Sequence, residues 1–399
     1  MQPQSIAIIG AGTAGLATAA LLASQGHHIT LIERAEALAP VGAGLLLQPT
    51  GLSVLQDMGL YRTMLGYGAR VDALIGHTRD GQRIMNTAYR SLDAHSHGLG
   101  IHRASLCHVL DQHLQARAHE RLMGSTVLAV ETSDDQTIIV IKKNGEPYRL
   151  SFDAAIIANG SHSRLRPATW TRYDKLYPWG AMWAMQPMVD AFAAPLLQQR
   201  YHRANQMAGV LPTGSRPDQP DQPLASFFWS LPVTQMPLWE QADFDFSGWR
   251  DQTLRLWPQL ETLLAPLTHP KQLLPATYRD VIMHHWGENR LGIIGDAAHA
   301  MSPQLGQGAN MALLDARAIS QALAESDSWP QVWDHYHRQR APQIRFYQRM
   351  SRWLTPAFQS HSRTVSRGRD LFFPIMERVP WLRMQMAKTV AGLKQGMLR

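Results

Sequence analysis

The chain has 399 residues, of which 45% are hydrophobic and 17% charged, a composition that excludes a disordered or solenoid protein and leaves room for two or three domains with large cores. A single cysteine, Cys107, excludes a disulfide scaffold and any multi-cysteine zinc or iron–sulfur site, and no stretch reaches the roughly eighteen uninterrupted apolar residues of a spanning helix. The formal net charge of +7 is uneven: residues 341–399 hold eleven Lys plus Arg against two acids, Asp370 and Glu377, so the rest sums to about −2.

The start, Met1-Gln-Pro-Gln-Ser, lacks the basic region and cleavage site of a signal peptide, so a soluble cytoplasmic protein is expected. Ile6–Ile9 predicts a buried strand, and Gly10-Ala11-Gly12-Thr13-Ala14-Gly15 leads from it into a strongly helix-forming run that ends at Gly26. His28–Ile32 predicts a second strand closing on Glu33, which completes a β–α–β unit. Arg103–Glu120 predicts a helix with Leu106, Val109, Leu110, His113 and Leu114 on one stripe and Cys107 just off it, semi-buried. Three short strands follow at Val127–Glu131, Thr137–Lys142 and Tyr148–Phe152, with an Asn144-Gly145 hairpin turn between the last two. Ala154–Ala158 predicts a buried strand ending at Asn159-Gly160. The segment from 176 to 275 reads as strands, with an exposed Pro-rich loop at 213–223. Leu291–Ile294 predicts the last parallel strand, and a long helix begins near Gly308.

The chemistry gathers in two glycine turns. In the first, Gly10 permits the bend, Gly12 lets backbone approach a pyrophosphate and Gly15 lets the helix pack on the strand; Glu33 stands where a carboxylate takes the ribose hydroxyls of an adenine dinucleotide. That acid disfavours NADP here but does not separate NAD from FAD. In the second, Gly295-Asp296-Ala-Ala-His299 places Asp296 at the carboxyl edge of the sheet, and Gly306 and Gly308 open a helix whose N–H groups face the same crevice. His299 reads as a structural member of the turn. The basic tail, interleaved with Met376, Trp381, Leu382 and Met386, would lie on an anionic membrane, grip a partner protein, or pack on its own protein with a solvated basic face. Its charge sits in one segment, and no nucleic-acid partner is expected.

With these motifs in order, the chain resembles the class A flavoprotein monooxygenases, the family of para-hydroxybenzoate hydroxylase, salicylate hydroxylase and the ubiquinone-biosynthesis hydroxylases. Carrying the resemblance are the first glycine turn with Glu33-Arg34, Asn159-Gly-Ser-His-Ser-Arg-Leu-Arg166, and Gly295-Asp-Ala-Ala-His with Pro303 and Gly306-Gln307-Gly308-Ala309-Asn310; smaller echoes are Val41-Gly-Ala43-Gly44-Leu-Leu-Leu-Gln48-Pro49 and Ile101-His-Arg103. It implies an α/β fold: a Rossmann-like FAD-binding domain over 1–70, 100–175 and 276–345, an inserted mainly β substrate domain over 71–99 and 176–275, and a basic helical C-terminal extension over 346–399. It implies FAD as bound cofactor, with Glu33 on the ribose, Arg103 near the ribityl-phosphate side, Val127 at the adenine, Asp296 on the ribityl chain and backbone groups of Gly306 to Asn310 under the isoalloxazine ring; Gly10 to Gly15, Arg34, Ala43, Gly44, Asn159 and Gly160 complete the cofactor-binding set. Pro303 and Gly306 would form the flavin environment on the reaction side, with no side-chain acid or base assigned.

The resemblance further implies that NADH or NADPH, bound transiently, reduces FAD, that oxygen adds at flavin C4a, and that the distal oxygen passes to an aromatic or lipophilic small molecule. Asn159-Gly160 departs from the family's Asp-Gly, which keeps hydrogen-bonding capacity and loses the charge. Arg164 and Arg166 read either as a solvated loop or as part of the nicotinamide-cofactor site. Substrate contacts are expected from Gln48, Trp183, Met185, Met207, Phe227 and Trp229, although alternation sets Phe227 and Trp229 on the face opposite Phe228, so not all three line one cavity. Arg200 and Arg203 are candidates for a carboxylate anchor. Rival readings are a flavin-dependent halogenase, disfavoured because its Trp-x-Trp-x-Ile-Pro signature is missing, a flavin reductase or dehydrogenase of an isoprenoid or quinone-type lipid, and a silent flavoprotein partner.

Overall fold

The computed structural model describes residues 1–39 and 42–397; Val41, the first residue of one family echo, and Arg399, counted in the basic tail, lie outside the described residues. Ile6, Ala7, Ile8 and Ile9 are all buried because the strand Ser5–Ile9 is central in a six-stranded sheet. In spatial order the sheet runs Gly287–Glu288, Leu291–Ile293, Ala154–Ile157, Ser5–Ile9, His28–Ile32 and His119–Leu122, parallel except for the hairpin that opens it. A parallel sheet covered on both faces needs apolar residues at every position, which is why these strands read as unbroken hydrophobic runs. The helices Thr13–Ser24, Arg103–Gln115 and Gly308–Ala324 pack together against it. An antiparallel meander, Thr126–Thr132, Thr137–Lys143 and Glu146–Phe152, joins the same core through Ile139, Ile141 and Phe152. Asn144 and Gly145 both take positive φ at its hairpin, as that dipeptide demands.

The expected helix over Arg103–Glu120 ends earlier, at Gln115, and His119–Leu122 is instead the edge strand beside His28–Ile32. An open sheet edge offers a row of unpaired N–H and C=O groups, and that tertiary demand overrides the local pattern.

The second sheet has seven strands in the order Leu274–Met283, Thr171–Pro187, Gln219–Pro232, Gln206–Arg216, Leu196–His202, Ala73–Thr78 and Arg83–Ala88. Residues 213–223 are not a loop but the end of a long hairpin, with Thr213 and Ser215 buried and only 218–223 exposed. The 176–275 segment is also not all strand: it carries the helix Phe246–Leu256, whose Trp249 packs against Phe227 and Trp229. Three helices, Trp329–Phe358, Arg363–Arg378 and Pro380–Val390, complete the described chain, the first running unbroken across residue 345. Among the described residues no helix is long and apolar enough to cross a membrane.

Candidate flavin and substrate cleft

Between the two sheets lies an open cleft of about 2270 Å³, walled at one end by the first glycine turn and at the other by aromatic residues of the seven-stranded sheet and the C-terminal helices. The turn is built for close approach. Gly10 has φ +109°, and a Cβ there would stand 2.7 Å from the Ala158 carbonyl oxygen; a Cβ on Gly15 would stand 1.8 Å from that of Gly10. Both glycines are therefore required by the protein's own packing. Gly12 is different: a Cβ there would meet no protein atom and would project into the cleft that Gly12 lines. The empty space beside it, at the N-terminus of the Thr13–Ser24 helix, fits a phosphate. Glu33 accepts from the N–H groups of Ala11 at 2.8 Å and Ala35 at 2.9 Å, so its carboxylate is fixed at the cleft wall with lone pairs left for hydroxyl donors.

Thr13, Ala14, Arg34, Ala43, Gly44, Arg103, Val127, Asn159, Gly160, Asp296, Gly306, Gln307, Gly308 and Ala309 line the same cleft. Ala11 and Gly15 sit behind its surface, one donating to Glu33 and the other packed on Gly10. Asn310 also lies behind it. It is fully buried, accepts from the Gln48 N–H at 2.8 Å and donates to the Leu46 and Gly306 carbonyls, so its side chain is taken up in holding the turn. The Asp296 side chain is exposed on the cleft wall.

Beneath Asp296 is a buried network that sequence reasoning sees only in part. Asp315, on the Gly308–Ala324 helix, accepts from the Gly295 N–H at 2.9 Å and from Arg340 Nε at 2.8 Å, and shares a 2.6 Å hydrogen bond with His299 Nε2. Burial alone would raise the Asp315 pKa; the charges and hydrogen bonds of His299 and Arg340 more than offset it and hold the carboxyl well below its usual range. His299 is thus a structural member of the turn. Arg166 is likewise structural: its guanidinium pairs with Asp174 at 2.9 Å and donates to the carbonyls of Ala297, Ser163 and Ser161, bracing one cleft loop against another. Arg164 remains exposed on the cleft wall.

Of the six expected substrate residues, Gln48, Trp183 and Met207 line the cleft. Phe227 and Trp229 do not: they are core on the opposite face of the sheet, and their neighbour Phe228 lines the cleft instead. Met185 also falls outside it. Arg200 stacks over Trp257 and donates to the Thr78 carbonyl, and Arg203 is exposed away from the cleft, so neither serves as the carboxylate anchor proposed for it. The C-terminal helices supply a wall that sequence reasoning missed, through Phe373, Met376, Leu382 and Met386. Their end is tied back to the body of the protein, with Gln307 Nε2 donating to the Val390 carbonyl at 2.7 Å and Thr50 Oγ1 to that of Ala391 at 3.1 Å.

Gln48 is fully buried, and its Oε1 accepts from the hydroxyl of Tyr89, also fully buried. Its Nε2 has no partner among the described residues and faces Gly306, 3.6 Å from where a Cβ would stand. A buried amide N–H without an acceptor is costly, so this group marks where a cofactor or substrate oxygen belongs. Tyr89→Phe is expected to destabilise the protein by about 1–3 kcal/mol, because it leaves Gln48 Oε1 unpaired as well. The double variant Gln48→Leu/Tyr89→Phe should recover part of that loss, read by denaturant unfolding.

This fold and cleft define an FAD-dependent monooxygenase of class A, with FAD as bound cofactor and NAD(P)H as electron donor. The chain belongs to the family described as FAD binding domain, whose model matches residues 4–350. Among curated relatives, the phenazine 1,6-dicarboxylic acid hydroxylase PhzS of Lysobacter antibioticus is 26% identical over 366 residues, covering 84% of this chain and 86% of its own. The 3-amino-4-hydroxybenzoate 2-monooxygenase PtnB3 of Streptomyces platensis is 28% identical over 398 residues, covering 94% and 93%. Among solved structures, PqsL of Pseudomonas aeruginosa superposes with a TM-score of 0.76 at 20% identity, covering 92% of this chain and 99% of its own, a likeness of fold.

Proposed function

We propose that the enzyme hydroxylates a flat, lipophilic aromatic molecule held between the Pro303 turn and the aromatic face of the seven-stranded sheet. The observation that carries this reading is the continuity of one cleft from the Gly10–Gly15 turn to Trp183, Phe228 and Tyr278. Bound FAD supplies the electron transfer and oxygen chemistry; the chain's own residues bind, orient and exclude water. Gly12 backbone and Glu33 hold the dinucleotide end, Arg103 and Asp296 the middle, and the N–H groups at Gly306–Ala309 the ring, where a helix start favours negative charge. Pro303 and Gly306 shape the reaction side. Trp183, oriented by its 3.2 Å hydrogen bond to the Tyr278 hydroxyl and packed on Phe228 at 4.9 Å, offers a flat surface on which an aromatic ring would stack. The flat aromatic acids named for PhzS and PtnB3 support a substrate of this shape. The nicotinamide donor binds transiently at the open side of the cleft, near Arg164 and Asn159, and the reaction runs in the cytoplasm.

The test is NAD(P)H oxidation by FAD-loaded protein with and without a panel of phenols, heteroaromatic acids and quinone precursors, following oxygen uptake, peroxide and product mass together. One compound should stimulate oxidation and give a product heavier by one oxygen. Product formation without oxygen uptake would replace this reading with a reductase or dehydrogenase.

A further inference from the structure

The helix Arg363–Arg378 is apolar on two faces. Its inner face is fixed to the protein: Ser366 and Arg369 are buried, the Arg369 guanidinium lies 5.0 Å over the Tyr201 ring and donates to the Ala357 and Arg203 carbonyls, and Phe373 and Met376 line the cleft. Its outer face carries Leu371 at 63% exposure, Phe372 at 61% and Ile375 at 48%, with Val365 and Val379 continuing the stripe. Single exposed apolar residues are ordinary; a stripe of four along one helix, continued by its Val379 cap, marks a surface that meets something apolar. Two tryptophans stand at the mouth of the cleft beside it, Trp381 at 58% and Trp353 at 74% exposure, each lining the cleft as well.

The charge around this stripe decides what it meets. Arg363, Arg367, Arg378 and Arg383 are exposed along these two helices. The two acids of the segment face cations of the protein itself, Asp370 bonded to Arg369 at 2.7 Å and Glu377 standing 3.7 Å from Arg83. A second copy of the chain would set arginines against arginines. An anionic bilayer complements both features, with arginines at the phosphates, the aliphatic stripe just below them and tryptophans at the interface. We propose that the outer face of Arg363–Arg378, with Trp353 and Trp381, docks on an anionic lipid surface and turns the mouth of the cleft towards it. Docking stands independently of what the cleft binds.

The experiment uses full-length FAD-loaded protein and vesicles of equal parts phosphatidylglycerol and phosphatidylcholine, against phosphatidylcholine alone. The protein should co-sediment with the anionic vesicles, bind less as salt is raised, and ignore the neutral ones. Phe372→Glu/Ile375→Glu and, separately, Arg367→Glu/Arg378→Glu should each weaken binding by about tenfold or more. None of these side chains lines the cleft, so flavin content and melting temperature should stay unchanged in both variants. Failure to bind anionic vesicles, or unchanged binding by both variants, would overturn the proposal. So would a dimer in light scattering that Phe372→Glu/Ile375→Glu dissolves, which would assign the face to a second copy.

Discussion

Asp315→Ala is expected to destabilise the folded protein by about 3–5 kcal/mol, because it leaves the buried Arg340 guanidinium without its counter-charge and the Gly295 N–H without an acceptor. The carboxylate is fully buried and its partners come from the Gly295–His299 turn and the Trp329–Phe358 helix, so the cost is not shared with water. Denaturant unfolding measures it directly, and a loss below about 1 kcal/mol would reduce the network to the worth of a surface pair. The same carboxyl predicts an acid dependence. Its pKa is depressed in the folded state, so the unfolded chain binds more protons in acid and stability rises with pH. The contribution is complete above the unfolded value of about 4 and is lost as pH falls from there towards the lower folded value. Asp315→Asn should remove that part of the slope; an unchanged slope would place the acid sensitivity elsewhere.

Asp296→Ala is expected to release the cofactor. The carboxyl faces the cleft at the end of the Leu291–Ile293 strand, and a Cβ on Gly308 would stand 3.6 Å from its Oδ1, so it lies between the strand end and the helix start under which the ring would sit. Hydrogen bonds from a charged acceptor to flavin hydroxyls contribute about 1.5–3 kcal/mol each, so losing one should weaken FAD by about ten- to a hundredfold. The flavin-to-protein absorbance ratio after gel filtration of dilute protein reads this out. Stoichiometric yellow flavin in a folded variant would remove Asp296 from the ribityl chain.

The parts of this molecule legible in the sequence are those set by short-range backbone geometry. Gly10, Gly12 and Gly15 follow a strand and open a helix within a few residues, and the Asn144-Gly145 hairpin needs only its own two residues. What was hidden depends on partners far along the chain. Alternation correctly puts Phe227 and Trp229 together and Phe228 opposite, but a period of two does not say which face turns to the cleft; the helix bearing Trp249 decides that. His119–Leu122 is a strand only because the edge of His28–Ile32 is there to receive it. The Asp315 network joins three segments, and no local pattern ties Arg340 to Gly295.

The clasp between Gln307 and Val390 joins residues 83 positions apart. During synthesis the first glycine turn and its strands emerge before Gln307, while Val390, which clasps it, follows 83 residues later. In the placement proposed above, a nascent chain has its residues for the adenine half of the cofactor before those that enclose the ring.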